Sequence, residues 1–292
     1  MDGIINVNKP KGITSYDVIR KLKKILKMKK IGHTGTLDPL AQGVLVICLG
    51  KATKLASEIE SKTKKYKATM ELGYSTTSYD IEGEIVNKVD NVNVQKSEIE
   101  NIISEFLGEQ EQIPPMFSAV KVNGKKLYEL ARQNIEIERK ARKIKINEIE
   151  LVDFDGNKNI VIDTKVSKGT YIRTLIDDIG KKLGTYATMT GLVREEVGEY
   201  TIKDSFSLEK MTEMAENNDF SFVTKIEEIF GENDEIILEK KKDIKLFNNG
   251  NTIINIKKDG KYRIYAEGIF LGIGEIKKER LKGYKYFGDI ER

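Results

Sequence analysis

Residues 43–50, Gly-Val-Leu-Val-Ile-Cys-Leu-Gly, form an unbroken run of apolar side chains closed at both ends by glycine. A short apolar run bounded in this way reads as a buried strand. Whatever precedes it is carried into the core. The preceding residues, 32–40, are Gly-His-Thr-Gly-Thr-Leu-Asp-Pro-Leu, with the chain's only histidine and a carboxylate locked against a proline. Gly32 and Gly35 open backbone conformations closed to other residues, while Pro39 fixes its own φ and biases Asp38 toward extended geometry. Gly, Asp and Pro are also common turn formers, so the loop alone reads as a plain turn. Its anchorage to a buried strand makes Asp38 a candidate nucleophile, because catalytic groups need a rigid scaffold beneath them.

The rest of the composition narrows the chemistry. At 292 residues, with 33% charged and 39% apolar content, the chain is expected to form one large domain plus a small one, of ordinary globular character. With one Cys and one His, there is little material for a disulfide, a zinc site or a Cys-His dyad, and Cys48 reads as a small core residue. Tryptophan is absent, so aromatic stacking falls to Tyr or Phe. The N-terminus lacks a basic segment followed by a long apolar one, and no stretch reaches bilayer-spanning length. These features predict a cytoplasmic protein with no membrane partner.

Charge is distributed unevenly. Residues 1–67 carry fifteen Lys/Arg against five Asp/Glu, although the whole chain is only +4. Arg20, Lys21, Lys23, Lys24, Lys27, Lys29 and Lys30 are interleaved with Val18, Ile19, Leu22, Ile25 and Leu26 at helical spacing, with Ser15 as N-cap and Asp17 in the first turn. This predicts a helix with a buried stripe and a basic face. The face has two readings, a solvated surface or a contact for a polyanion such as RNA.

Further along, Tyr66, Ala68, Met70 and Leu72 alternate with polar residues and predict a half-buried strand. Residues 97–107 read as a helix opened by a Ser97/Glu100 capping box and stopped by Gly108. Pro114-Pro115 breaks the chain before a strand-like segment at 117–122, an Asn123-Gly124 turn and a helix through Leu127, Leu130 and Ala131. Alternating runs at 144–151 and 160–166 precede a helix bearing Leu175, Ile179 and Leu183. Strands and helices mix without a regular βαβ beat, which favours an α+β domain on a mixed sheet. From about residue 235 the pattern becomes short strands and turns, so the expected division is 1–234 and 235–292, joined at the acidic segment 227–235.

Five ordered pieces give the chain a resemblance to the bacterial TruB-type tRNA pseudouridine-55 synthases. They are residues 9–15 (Lys-Pro-Lys-Gly-Ile-Thr-Ser), residues 32–45, residues 65–68 with Leu72-Gly73, residues 114–124, and residues 169–175 (Gly-Thr-Tyr-Ile-Arg-Thr-Leu). The resemblance implies the pseudouridine synthase fold, a mixed and largely antiparallel sheet with flanking helices, followed by a small β-rich, PUA-like RNA-binding domain at 235–292. It implies isomerisation of uridine 55 in the T-loop of tRNA, with no metal and no cofactor. Its expected partner is the T-arm and elbow of tRNA, with no obligatory protein partner.

By the same resemblance Asp38 is the nucleophile, acting by covalent catalysis on a base flipped out of the RNA. Attack at C1′, attack at C6 and elimination stay open. Tyr66 matches a stacking tyrosine that also serves late proton removal from C5, while its phase with Met70 and Leu72 alone makes it a core aromatic. Arg173 matches a bidentate partner of the nucleophile; by spacing alone it pairs with Asp177 or Asp178. Tyr171 and Leu192 match residues contacting the nucleotide, and His33 one that holds the remodelled RNA loop. Lys9 and Arg194 complete the expected substrate-binding set. One departure stands out: Leu192 is followed by Val193-Arg194-Glu195-Glu196, where the family commonly has two arginines and a threonine. Residues 139–143, Arg-Lys-Ala-Arg-Lys, offer substitute phosphate contacts. Two other classes compete: a non-catalytic RNA-binding or remodelling protein, and a carboxylate-dependent hydrolase that would release free base.

Overall fold

The computed structural model describes residues 1–288 apart from Asn123 and Asn134. The first strand, β1 (Gly3–Lys9), leads to α1 (Ser15–Ile25), a short β2 (Ile31–His33) and β3 (Gln42–Leu49). Helix α1 buries Val18, Ile19 and Leu22 and is capped by Thr14, not Ser15: the Thr14 hydroxyl accepts from Asp17 N–H, and the Asp17 carboxylate accepts from Thr14 N–H.

After a 3-10 turn (Gly50–Leu55) and α2 (Ala56–Ser61), β4 (Lys64–Leu72) alternates strictly between buried and half-buried positions. A small hairpin, β5 (Tyr74–Thr76) with β6 (Ile85–Lys88), precedes α3 (Lys96–Ser104) and β7 (Gly108–Gln112). The expected capping box at Ser97 is absent, since α3 begins at Lys96 after Gln95, which makes no side-chain cap bond. The helix stops at Ser104, before Gly108, which opens β7 instead. Of the strand expected at 117–122, only β8 (Lys121–Val122) forms, paired with β9 (Lys125–Lys126). Asn123 of the expected turn lies outside the described residues.

Helix α4 (Leu127–Ala131), β10 (Arg142–Phe154), β11 (Asn159–Val166), α5 (Ile172–Lys182) and β12 (Ala187–Val197) follow, then β13 (Tyr200–Thr201), α6 (Leu208–Glu216), β14 (Thr224–Lys225) and α7 (Ile226–Ile229). The main sheet runs β14-β1-β3-β12-β4-β11-β10-β7, with β2 on β3 and β13 on β12. Its pairings are antiparallel except one: β12 meets β3 in parallel through Val193 and Arg194 against Gln42 and Gly43. The sheet is thus mixed, as the pattern of elements predicts, and largely antiparallel, as the resemblance implies.

The unbroken apolar run of β3 has a plain cause. Leu45, Ile47 and Leu49 face the main core with α1, α3, α5 and α6, while Val44, Val46 and Cys48 face a second cluster on the opposite side. Strands buried on both faces read as continuous apolar runs. Ile273 and Phe287, from a separate five-stranded sheet, help to cover that opposite side. This second sheet comprises β15 (Glu235–Ile237), β16 (Ile253–Ile254), β17 (Gly260–Ala266), β18 (Ile269–Lys277) and β19 (Arg280–Tyr286), packed with α8 (Lys241–Asn248). Polar contacts join this sheet to the helical segment after β3: Tyr284 Oη donates to Glu58 of α2 at 2.5 Å, and Lys54 Nζ of the 3-10 turn donates to the Tyr286 carbonyl at 2.7 Å. Among the described residues no helix is long and apolar enough to cross a membrane.

Candidate active site

Asp38 lies in the loop between β2 and β3, and each side of that loop is tied down. Thr34 N–H donates to the Val46 carbonyl at 3.0 Å, and Ala41 N–H closes a turn onto the Asp38 carbonyl at 3.1 Å. The buried Ser15 hydroxyl accepts from Leu37 N–H at 2.8 Å and lies 3.0 Å from the Leu37 carbonyl. That tertiary demand on Ser15 explains why Thr14 caps the helix. Gly12 N–H reaches the Pro39 carbonyl at 2.8 Å, so the segment after β1 and the segment after Asp38 are joined directly.

Arg173 opens α5 and is buried, yet its Nη2 lies 3.0 Å from Asp38 Oδ2, and the Asp38 side chain is 38% exposed. A buried cation therefore meets a carboxylate open to an incoming molecule. The guanidinium does not grip Asp38 bidentately. Its Nη1 lies 3.5 Å from Asp80 Oδ2 and donates to the Ser78 carbonyl at 3.0 Å, while Nη2 also donates to the Phe117 carbonyl at 2.9 Å. Three segments of the chain, around Asp38, Ser78–Asp80 and Phe117, converge on this one side chain. Asp177, the alternative partner by spacing, pairs instead with Lys181 at 2.6 Å.

Asp80 is nearly inaccessible and is held by the Ser78 hydroxyl at 2.5 Å and Glu82 N–H at 3.1 Å. Sequence reasoning misses Asp80, which sits in a polar loop with no periodicity. It also misses Gln112, whose side-chain amide donates to the Tyr171 carbonyl at 3.0 Å and accepts from Tyr171 N–H at 2.8 Å. Tyr171 thereby enters α5 with its backbone clamped, and its own side chain is half-buried. Tyr66 and Leu192 are each only 8% exposed and pack in the cluster that contains Leu37 and Leu40, the residues flanking the Asp38-Pro39 pair.

Lys9 and Arg194, expected to touch substrate, are placed otherwise. Lys9 is fully buried and donates from Nζ to the carbonyls of Pro10 and Ile13, at 3.0 and 2.7 Å. Burial lowers its pKa to about 8, with Asp38 opposing and Arg194 reinforcing the shift. Arg194 is 2% exposed and donates to three carbonyls: Val44 at 2.7 Å, Gly35 at 3.1 Å and Thr36 at 3.3 Å. Both side chains spend their donors on backbone, and neither presents a charge to solvent. At Gly43, whose φ is +103°, a Cβ would stand 2.2 Å from the Arg194 carbonyl oxygen, so only glycine admits this approach.

His33 is half-buried, and its Nδ1 faces Gly35 N–H at 3.4 Å. Burial first and the Arg194 charge second hold its pKa below the ordinary value of 6.5, which leaves the imidazole neutral at pH 7. Burial pushes the Cys48 thiol up to about 12, so it is inert packing. Among the described residues, no three His, Cys, Asp or Glu side chains gather in a way that would hold a metal ion.

Comparison with known proteins adds independent findings. Residues 23–172 match the TruB family pseudouridylate synthase N-terminal domain, residues 173–229 the tRNA pseudouridylate synthase B C-terminal domain, and residues 237–285 the pseudouridine synthase II TruB C-terminal region. A tRNA pseudouridine synthase B of Fusobacterium nucleatum is 55% identical over 98% of this chain and 100% of its own length. One from Clostridium perfringens is 43% identical over 98% of this chain and 97% of its own. A solved H/ACA RNP bound to a substrate RNA containing 2′-deoxyuridine matches with a TM-score of 0.69 at 23% identity, over 98% of this chain and 85% of that one, a likeness of fold. The chain therefore belongs to the TruB family of tRNA pseudouridine synthases.

Proposed function

We propose that the chain isomerises uridine 55 in the T-loop of tRNA to pseudouridine, with Asp38 as nucleophile and the target base flipped into the site. The observation that carries this reading is the half-open Asp38 carboxylate, paired with buried Arg173 on a loop fixed from both sides. In the net reaction the bond from C1′ to N1 breaks and a bond from C1′ to C5 forms. N1 gains a proton and C5 loses one. Asp38 holds the intermediate while the base turns, and Arg173 supplies the compensating positive charge.

A stacked uridine is out of reach, so the base is extruded and packs on Tyr66, which is also the candidate to take the C5 proton. Tyr171 and Leu192 line the remainder of the pocket, and neutral His33 supports the remodelled loop. Lys9 and Arg194 act on the protein side, by holding the backbone around Asp38. No step in this scheme calls on a cofactor. On this reading residues 1–234 form the catalytic unit and 235–292 a PUA-like RNA-binding unit, of which 289–292 lie outside the described residues. The tRNA T-arm and elbow are the partner and the cytoplasm the compartment.

The test is tritium release from an unmodified tRNA transcript carrying 5-tritiated uridine, using the unaltered protein and Asp38→Asn. Release by the unaltered protein alone, with no free uracil, is the expected result. Free uracil would mean hydrolysis, and tight binding without release would mean a binding protein. Retained release in Asp38→Asn would remove the nucleophile assignment.

A further inference from the structure

The outer side of α1 carries charge that the site does not use. Arg20, Lys21 and Lys24 are exposed along it, Lys27 lies just beyond its end, and Tyr16 is 65% exposed near its start. Tyr16, Arg20 and Lys24 follow one another at spacings of four and share one face, opposite the buried Val18, Ile19 and Leu22, and Lys27 lies past the C-cap Leu26. The acids nearby are few. Asp17 pairs with Arg20 at 2.7 Å, and Glu209, at the start of α6, interacts with Lys21. Lys24 and Lys27 have no ion-pair or hydrogen-bonding partner for their side chains among the described residues.

Lys27 also occupies an unfavourable backbone position. Its φ is 51°, the left-handed conformation just past a helix end that glycine adopts without cost. A helix C-terminus favours cations, yet Lys23 and Lys24 already fill that role in the last turn. The chain thus keeps a cation at a strained point where it gains little locally.

The placement gives this face a direction. Its N-terminal end is bolted to the nucleophile loop through Ser15 and Leu37 and through Gly12 and Pro39. From there the 11-residue helix carries the charge away from Asp38 over about 16 Å. An RNA whose loop sits at Asp38 has its helical arm to place somewhere, and a row of exposed cations continuous with the site, of which Lys24 and Lys27 are unpartnered among the described residues, complements its phosphates.

We propose that this face of α1 is a second RNA contact, a sequence-independent track for the phosphates of the helical arm beyond the target loop. It rests on the reading of the chain as a tRNA-modifying enzyme. Each phosphate neutralised contributes about 0.9 to the slope of log affinity against log salt. Losing three contacts would flatten the slope by about 2.7, so the affinity lost between 50 and 200 mM salt would shrink roughly 40-fold.

The experiment compares Arg20→Gln/Lys24→Gln/Lys27→Gln with the otherwise unaltered chain, both carrying Asp38→Asn so that binding is read without turnover. The probes are full-length tRNA transcript and a hairpin restricted to the target loop and its closing pairs. The triple variant is expected to bind full-length tRNA more weakly with a salt slope lower by two to three, and to bind the hairpin much as before. Equal slopes on full-length tRNA would overturn the proposal, as would equal losses on both probes. Lys27→Gly separates binding from folding: the melting temperature should rise by about 2 °C as the left-handed strain is relieved, while tRNA affinity falls. A fall in melting temperature with affinity unchanged would make Lys27 a purely local helix cap. Tritium release by the native sequence on the same transcript tests the isomerase reading separately.

Discussion

Replacing Arg194 by methionine separates two roles that a sequence reading leaves joined. The side chain is 2% exposed, and its three bonds to Val44, Gly35 and Thr36 measure 2.7, 3.1 and 3.3 Å. Hydrogen bonds from a charged donor contribute about 1.5–3 kcal/mol each, the long one least. Those values are already net of desolvation, and removing the guanidinium leaves three carbonyls without their donor. Arg194→Met should therefore lose about 3–5 kcal/mol of global stability, read from the urea midpoint. Geometry is lost as well. Gly35 and Thr36 lose their tether, and Asp38 is two residues further on. If Asp38 is the nucleophile proposed above, a drift of about 1 Å there costs roughly 100-fold in rate, or about 2.7 kcal/mol of barrier. Single-turnover tritium release should therefore fall about 100-fold while tRNA affinity stays within about twofold of the native value, with Arg194→Lys recovering part of the rate. An intact single-turnover rate with tenfold weaker tRNA binding would refute this reasoning and return Arg194 to the substrate-binding role that the resemblance implies.

Gly43→Ala should cost about 3 kcal/mol or more in urea unfolding, because its Cβ would stand 2.2 Å from the Arg194 carbonyl oxygen at a φ of +103°; a loss under about 1 kcal/mol would mean that the strands part easily at this point. Gln112→Leu should cost about 2–3 kcal/mol and speed hydrogen exchange at the Tyr171 amide, and Gln112→Glu, which keeps the acceptor, should cost less. Unchanged exchange in Gln112→Leu would show that the clamp is not what holds Tyr171. Lys9 and Lys64 are both lowered by burial from 10.5 to about 8, so above pH 8 the folded chain binds fewer protons than the unfolded one. Stability should rise by about 2 kcal/mol from pH 8 to 9, about 1 kcal/mol from each lysine, while Cys48, raised from 9.0 to about 12, increasingly opposes the gain as the pH passes 9. A flat or falling urea midpoint across that unit would contradict the burial of the two lysines.

What the sequence made legible followed from what periodicity encodes. β4 is buried on one face, so the alternation through Tyr66, Ala68, Met70 and Leu72 shows at once. β3 is apolar throughout, which identifies a strand without naming what covers its second face; that cover comes in part from Ile273 and Phe287, more than two hundred residues away. Both helix caps lie ahead of the expected residue, by one position in α1 and by two in α3, and for different reasons. Ser15 has the right chemistry for a cap, but its hydroxyl is drawn to Leu37, whereas α3 starts without a side-chain cap. Helix α8 was missed because lysines on either side of Asp243 obscure the pair Ile244 and Phe247 that it buries. At the site, Asp38 was legible from its own loop and Arg173 only through the family resemblance, since no spacing rule spans such a separation. The roles of Asp80, Gln112 and Ser15 left no signature, because a single buried polar residue, whether in a loop as Asp80 is or at the end of a strand or helix, has the same local sequence as an exposed one.

The two-residue parallel seam between β3 and β12 has a consequence for how the protein is made. Arg194 bonds to Val44 across 150 positions and to Gly35 across 159. Contacts of such reach are slow to form, because a long stretch of chain must be ordered before they yield any gain. During synthesis, a ribosome that has released the first half of the chain has supplied Asp38 but not the strand that fastens its loop. The nascent protein thus carries Asp38 on an unfastened segment until β12 emerges, and reactivity arrives late in translation, close to the moment when the sheet closes.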